Sequence, residues 1–284
     1  MFNIKTKEDD KMLDKINKIS NFLLPIVIVI AAFSYGGFKW AITASLVLIV
    51  FGVIKFLPTI YVYIAMFNYQ KNNDKTFTFL EKAYTSGRMK PDYVLYYAYL
   101  CLREGKLDKS ERLINSVLSR KYGDDIRNSA NLNRALLLWK QDKLDEAIEL
   151  LYEVGKEFKN SSYYGNLGYF LILKGEYQKA LEFNMEAYNY NSDDFIILDN
   201  LAQTYYYMGS LKKSEEIYEE LMAKNPQFPV PHYNYAKTLY ALGKKEEAAK
   251  EARVALSFPF THLAGAPSEE VAAFLENVER ELEE

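Results

Sequence analysis

A 34-residue beat constrains this chain more than any other feature. Gly175, Gly209 and Gly243 lie 34 residues apart (209 − 175 and 243 − 209). Each opens a similar phrase: Gly-Glu-Tyr-Gln-Lys-Ala to Ala180, Gly-Ser-Leu-Lys-Lys-Ser to Ser214, and Gly-Lys-Lys-Glu-Glu-Ala to Ala248. Asp142 falls one residue off the beat, and Gly105 lies in the same local context one unit earlier. A fixed period of this length marks stacked supersecondary units, none of which buries its apolar face alone. The expected fold class is all-α, a solenoid of helix pairs. Such stacks present extended concave surfaces, which suit other polypeptides better than they suit chemistry.

The spacing has a packing logic. Each unit carries one small residue on its first helix and one on its second: Ala98/Ser110, Ala135/Ala147, Gly168/Ala180, Ala202/Ser214 and Ala236/Ala248. Small side chains at a crossing let two helices approach closely while larger neighbours fill the grooves beside them. Glycine between the helices adopts a left-handed conformation and ends the first one. The interval from Ser110 to Ala147 is 37 residues (147 − 110), which predicts an enlarged loop near Lys121–Asp125.

Leu198-x2-Leu201-Ala202-x2-Tyr205, then Gly209, Ser214-x3-Tyr218 and Pro226, resembles the tetratricopeptide repeat. Tyr164-x2-Leu167-Gly168-x2-Leu171, Gly175, Ala180 and Ala187 repeat the pattern before it, and Ala236, Gly243, Ala248 and Ala255 after it. The resemblance implies a right-handed α-solenoid. Five units are expected within 91–262, at about 91–124, 128–160, 161–194, 195–228 and 229–262. A degenerate unit over 58–90 precedes them, and a terminal helix over 266–284 covers the last repeat. In that last helix Val271, Leu275, Val278 and Leu282 form one apolar stripe opposite glutamates.

The N-terminal quarter differs in kind. Residues 1–18 hold Lys5, Lys7, Lys11, Lys15 and Lys18 against Glu8, Asp9, Asp10 and Asp14. From Ile19 to Gln70 only Lys39 and Lys55 are charged. Two apolar runs, Phe22–Tyr35 and Trp40–Ile54, flank Gly36-Gly37, and each approaches the roughly 20 residues that cross a bilayer. The expectation is a transmembrane hairpin over 19–57 with its turn at Gly36-Gly37, the second span running directly into 58–90. A cleaved signal peptide fits less well, because the leader is long and charged and a second apolar run follows at once. A core hairpin of a soluble protein also fits less well, since neither run holds a carboxylate. Five lysines precede the first run, and Lys55, Lys71, Lys75 and Lys82 follow the second. The positive-inside rule therefore places both termini and the repeats in the cytoplasm, in a two-span membrane protein. Lys55 is read as snorkelling to the inner interface, with Tyr35 and Trp40 at the outer one.

From Lys71 onward the chain holds 28 Lys+Arg (35 − 5 − 2) and 34 Asp+Glu (38 − 4), a mildly acidic body without a basic stripe. That argues against a nucleic-acid partner. Cys101, the single cysteine, sits in an apolar helix and suits a small core residue. With only His232 and His262, and no metal-binding, phosphate-cradling or nucleophile-elbow motif, the sequence points to no enzyme, no cofactor, no metal and no small-molecule substrate.

In the resemblance, first helices line the concave side. Asparagine recurs there at Asn133, Asn166, Asn200 and Asn234, a site that in peptide-binding members contacts ligand and that the family also favours structurally. Tyr99, Trp139, Tyr169, Tyr206, Tyr233 and Tyr240 lie at neighbouring sites, with Arg103, Lys140, Gln203 and Lys237 among them. This composition, apolar walls with polar tips, is common at binding hot spots. Leu95, Leu132, Gly165, Asp199 and Tyr233 stand where members that clamp carboxylates carry bases, so acidic C-terminal tails fit poorly. The resemblance implies a membrane-anchored scaffold or adaptor holding a protein or peptide with apolar anchors. The alternative is a structural subunit of a larger membrane complex, with the repeats as a brace.

Overall fold

The computed structural model describes residues 7–69, 71 and 73–284, and side chains from residue 23 onward. Residues 1–6, which include Lys5, and the side chains of the other lysines in the expected cytoplasmic segment 1–18 lie outside this description. The chain divides into two compact units, Met1–Met89 and Lys90–Glu284. All thirteen regular elements among the described residues are α-helices, and no strand occurs among them.

The first unit holds α1 (Lys7–Asn68) and α2 (Asn73–Thr85). Two separate spans joined by a turn were expected over 19–57; α1 is instead one long apolar helix, broken at a single residue. Gly37 has φ 69° and ψ −164°, a region that essentially only glycine occupies. The sequence around it supplies no Asn, Asp or Pro to build a longer turn, so helix resumes on both sides. Its apolar stretch, Leu23–Asn68, is 46 residues long, and by length and composition it is able to cross a membrane. Leu46, Val47 and Phe51 are typical of its side chains in being exposed.

The end of α1 behaves differently. Val62 and Ala65 are fully buried, as are Leu80 and Ala83 of α2, which packs on it. The Thr76 hydroxyl donates to the Ala65 carbonyl at 3.2 Å, and Tyr61 meets Phe79 at 5.8 Å between ring centroids.

The second unit is a stack of helix pairs. Its first helices are α3 (Pro91–Arg103), α5 (Asp124–Lys140), α7 (Ser161–Leu173), α9 (Phe195–Tyr207) and α11 (Pro229–Ala241). Their partners are α4 (Leu107–Leu118), α6 (Leu144–Val154), α8 (Tyr177–Tyr190), α10 (Leu211–Ala223) and α12 (Lys245–Leu256), and α13 (Ser268–Glu283) ends the stack. All ten small residues picked out by spacing are buried, and in the first pair the Ser110 hydroxyl donates to the Ala98 carbonyl at 2.9 Å. At Gly168 the fit is tightest: an added Cβ would lie 2.0 Å from the Asn184 side-chain oxygen. Cys101 is buried within α3.

Every first helix ends the same way. Lys106, Lys143, Glu176, Ser210 and Lys244 each donate a backbone N–H to the carbonyl five residues back, at 2.8 to 3.1 Å. The residue before each of these has positive φ: Gly105, Asp142, Gly175, Gly209 and Gly243. This is the Schellman termination, in which a left-handed residue folds the chain back onto the helix's last carbonyls. Asp142 performs it with φ 60°, at a steric cost that glycine avoids.

The 37-residue interval does not enlarge a loop. The chain from Ser119 to Gly123 is five residues, within the four to six of its counterparts, and α5 is longer by about a turn, 17 residues against 13 in the other four first helices. Asp124 and Asp125 occupy the first turn of α5, where the positive end of the helix dipole favours acids, so the extra residues extend the helix.

Consecutive first helices α3, α5, α7, α9 and α11 pack directly on one another, whereas consecutive second helices are held apart. The first helices thus form the inner layer of a curved two-layer stack. In α13, Val271 and Val278 are fully buried, and Phe274 packs on the core where a stripe through Leu282 was expected; Leu282 is exposed.

Candidate functional site

The asparagine ladder runs along the inner layer, one rung per helix on α5, α7, α9 and α11. Three rungs are committed within the protein. The Asn133 amide donates to the Leu95 carbonyl at 2.8 Å, and the Asn200 amide to the Gly165 carbonyl at 2.8 Å. The Asn234 amide donates to the carboxylate of Asp199, at 3.1 and 3.3 Å. In each case the acceptor belongs to the preceding repeat. The acceptors Leu95, Gly165 and Asp199 stand at the very sites where a carboxylate clamp would place a base, which gives those sites a positive structural use. Asn166 is the exception: half-buried, it makes no side-chain hydrogen bond within the described residues.

Asn166 faces a cavity of about 410 Å³ lined also by Tyr96, Tyr99, Leu132, Asn133 and Ile196. Ser129, Ser161 and Asp194 add polar groups at its edge. Two of these have local duties: the Asp194 carboxylate caps α9 by accepting from the amides of Ile196 and Ile197, and the Ser161 hydroxyl accepts from Asn191. The remaining lining is a mixture of aromatic faces, aliphatic surface and neutral amides. Such a surface is suited to a polypeptide backbone and apolar side chains rather than to a charged metabolite.

Further along the inner layer, a second cavity of about 220 Å³ lies among Tyr169, Gln203, Tyr207, Tyr233, Asn234 and Lys237. Beneath it sits a polar hub that the sequence pattern did not reveal. Asp199 is buried and accepts from Tyr218, Gln203 and Asn234. Burial pushes its carboxyl up to about 6, against the pull of those hydrogen bonds and the Lys237 charge. Lys237 holds its ammonium 4.7 Å from the centroid of the Tyr233 ring, and burial pulls it below the ordinary lysine range despite Asp199 and Glu270. Burial raises the phenols of Tyr169 and Tyr233, and the Glu270 carboxylate accepting from Tyr233 at 3.0 Å adds to the second shift.

The other expected aromatics divide by role. Trp139 packs edge-on against Tyr169, with centroids 5.4 Å apart, and carries the Lys140 ammonium 3.8 Å from its own ring centroid. Tyr240 is tied to α13 through its hydroxyl, which donates to Glu281 at 2.8 Å, and through its ring against Phe274. Tyr206 packs edge-on against Tyr207 and lines neither cavity; Tyr207, its exposed neighbour, lines the smaller one. Tyr99 alone among the six lines the larger cavity.

One contributor to this surface carries no motif. The segment Ser257–Pro267, between α12 and α13, crosses the inner face. The His262 amide donates to the carbonyl of Arg103, at the end of α3, at 2.7 Å. Phe260, Gly265 and Ala266 wall the smaller cavity with Glu270. The sequence signal for it was only negative, the departure from the repeat pattern after Ala255. His232, also outside the groove pattern, is bonded to Glu251 at 2.7 Å and to the Pro226 carbonyl at 3.0 Å and stacks on Phe258. Among the described residues no group of three or more His, Cys, Asp or Glu side chains could hold a metal.

The family description "Tetratricopeptide repeat" matches residues 200–262. A tetratricopeptide repeat protein of Parabacteroides merdae superposes with a TM-score of 0.62 at 14% identity, over 89% of this chain and 97% of that one. A thermophilic TPR protein of Thermus thermophilus superposes with a TM-score of 0.55 at 16% identity, over 66% of this chain and 98% of that one. Pseudomonas aeruginosa pilF gives 0.50 at 16% identity, over 68% and 84%. No curated protein matches. At these identities the structural likeness speaks to the fold, which is all-helical and tetratricopeptide-like.

Proposed function

We propose that this tetratricopeptide-type stack is a membrane-anchored adaptor that holds an extended protein segment along its inner face and performs no chemistry. Repeats of this type generally mediate protein–protein interaction and peptide binding, and the fold is typical of non-catalytic scaffolds. The observation that carries the proposal is Asn166: one rung of an otherwise satisfied ladder, aimed at the larger cavity without an internal partner. An unpaired amide there supports binding of a peptide group. Tyr99 supplies apolar contact beside it, and Tyr169, packed on Trp139, does so in the smaller cavity. Asn133, Asn200 and Asn234 hold the inner face in register. Tyr206, Tyr233, Tyr240 and Lys237 shape its C-terminal part.

The anchor is α1. With 58–68 given to the first repeat, the 35 residues of Leu23–Leu57 would extend about 52 Å as an unbroken helix, against a hydrocarbon core of about 30 Å. That excess, with the break at Gly37, supports two passes rather than one. The lysine distribution supports cytoplasmic termini and repeats. The buried pair formed by the end of α1 and α2, with Thr76 bonded to Ala65 as Ser110 is to Ala98, supports a degenerate first repeat over 58–90.

A second role, as a brace in a larger membrane complex, is favoured by the exposed apolar side chains of α1, which offer a surface to neighbouring spans. Photo-crosslinking in cells from position 99, with exposed Tyr152 as control, separates the two. An adaptor gives discrete products from 99 only, which vanish with Asn166→Ala and survive exchange of residues 1–57 for an unrelated anchor. A brace gives none from 99 and fails on anchor exchange.

A further inference from the structure

We infer that Phe258–Ala266 is a resident ligand of the inner face: an uncharged, aromatic, proline-containing strap that a partner segment of the same chemistry displaces. The partner half of this statement rests on the adaptor role; the strap itself rests on geometry.

The nine-residue segment reaches from the last repeat of the inner layer to its first. Phe260 and Ala266 join the core cluster around Tyr233. Gly265 lies so close to the Tyr169 hydroxyl that an added Cβ would stand 2.5 Å from it. His262 reaches α3, with its amide on the Arg103 carbonyl and its ring against Gly105. Arg103 is the last residue of α3, where the helix's own amides no longer reach the carbonyls, and the strap donates there. The sequence Phe-Pro-Phe-Thr-His-Leu-Ala-Gly-Ala contains no Lys, Arg, Asp or Glu. It is the kind of segment that the neutral, tyrosine-rich inner face accommodates.

Phe258, stacked on His232, and Phe260 and Ala266, on the core, anchor the strap's ends, but its main-chain hold is sparse. Its backbone amides make three hydrogen bonds, Phe258 to Ala255, His262 to Arg103 and Ala264 to Thr261. The amides of Phe260, Thr261, Leu263, Gly265 and Ala266 make none within the described residues. Pro259, His262 and Gly265 are exposed. Segments with few backbone bonds and exposed residues open at low cost, independently of the helices around them. Departure of the strap would uncover Tyr169, Gln203 and Lys237 and join the two cavities into one continuous surface.

Two measurements test this on the full chain in detergent. In native-state hydrogen exchange, the His262 amide should exchange at least 100-fold faster than that of Leu239 after correction for intrinsic rates. Equal protection would make the strap a fixed part of the fold and overturn the inference. In the second, a synthetic peptide of Ser257–Ala266 is titrated against the native chain and against a chain whose Phe258–Gly265 is replaced by Gly/Ser of equal length, with helicity checked by circular dichroism. The replaced chain should bind the peptide at least ten-fold more tightly, and equal affinities would overturn the inference. Neither readout uses a cellular partner, so failure of capture from position 99 counts against the adaptor role alone.

Discussion

The side-chain amide of Asn200 donates to the backbone carbonyl of Gly165 across 2.8 Å, so one repeat holds the backbone of the repeat before it. Asn200 is fully buried and Asn166, one repeat earlier, is half-exposed and unbonded. Asn200→Ala leaves a buried carbonyl without its donor and should cost about 1–3 kcal/mol. Asn166→Ala should change stability by less than about 0.5 kcal/mol while weakening partner capture. Urea denaturation of both variants checks the contrast, and equal costs would remove the special status of Asn166.

Asp199 makes stability depend on pH in an unusual direction. Its folded pKa of about 6 lies above the unfolded value near 3.9, so the folded state binds the proton more tightly. Its contribution is most favourable below about pH 4, declines as pH rises through 4–6, and levels off above. Relative to Asp199→Asn, the wild type should lose on the order of 2–3 kcal/mol between pH 4 and pH 7. Comparing denaturation midpoints of the two chains across that range isolates this group from the other carboxylates. A flat difference would mean that Asp199 stays ionised.

Gly168→Ala should destabilise by about 1–3 kcal/mol, because the new methyl collides with the Asn184 side chain, itself buried and bonded to Thr204. A thermal shift reads this directly. The paired variant Gly168→Ala with Asn184→Ala should recover part of the loss, since it removes the colliding atom.

Asp142→Gly should stabilise by about 0.5 kcal/mol. The residue holds φ 60° at the end of α5, where glycine stands in the other four units. Relief of that strain exceeds the added freedom of the unfolded chain. A loss of stability would show that the aspartate side chain contributes more than its backbone costs.

Cells expressing the intact chain should retain it in the membrane fraction after carbonate washing. Removal of residues 1–57 should release the remainder. Labelling of a cysteine placed at Phe38, in a Cys101→Ser background, by an impermeant reagent from outside the cell tests the two-pass arrangement; labelling only after permeabilisation would exclude it.

Much of the stack was legible because its crossings are built from small residues at a fixed interval, and each falls at a buried contact. The inner layer was legible only in part. Asparagines at one register were visible, but their destinations were not. Asn133 and Asn200 bond to backbone carbonyls, which every residue possesses, so no side-chain pattern announces them. Asp199 looked like the lack of a base and proved to be an acceptor shared by three donors. The strap escaped because its attachment to Arg103 is a main-chain bond between residues 159 apart (262 − 103) in a segment without periodicity. At the N-terminus, apolar length was clear, whereas one glycine conformation decided between a turn and a break.

An open solenoid tolerates duplication or loss of a repeat, since each unit answers only to its neighbours. The bond from His262 to Arg103 adds a contact that skips the neighbours, from the last repeat to the first. One unit more or fewer would move the strap's origin relative to that acceptor. The closed strap is therefore matched to the five helix pairs between Pro91 and Leu256, and the open one is not.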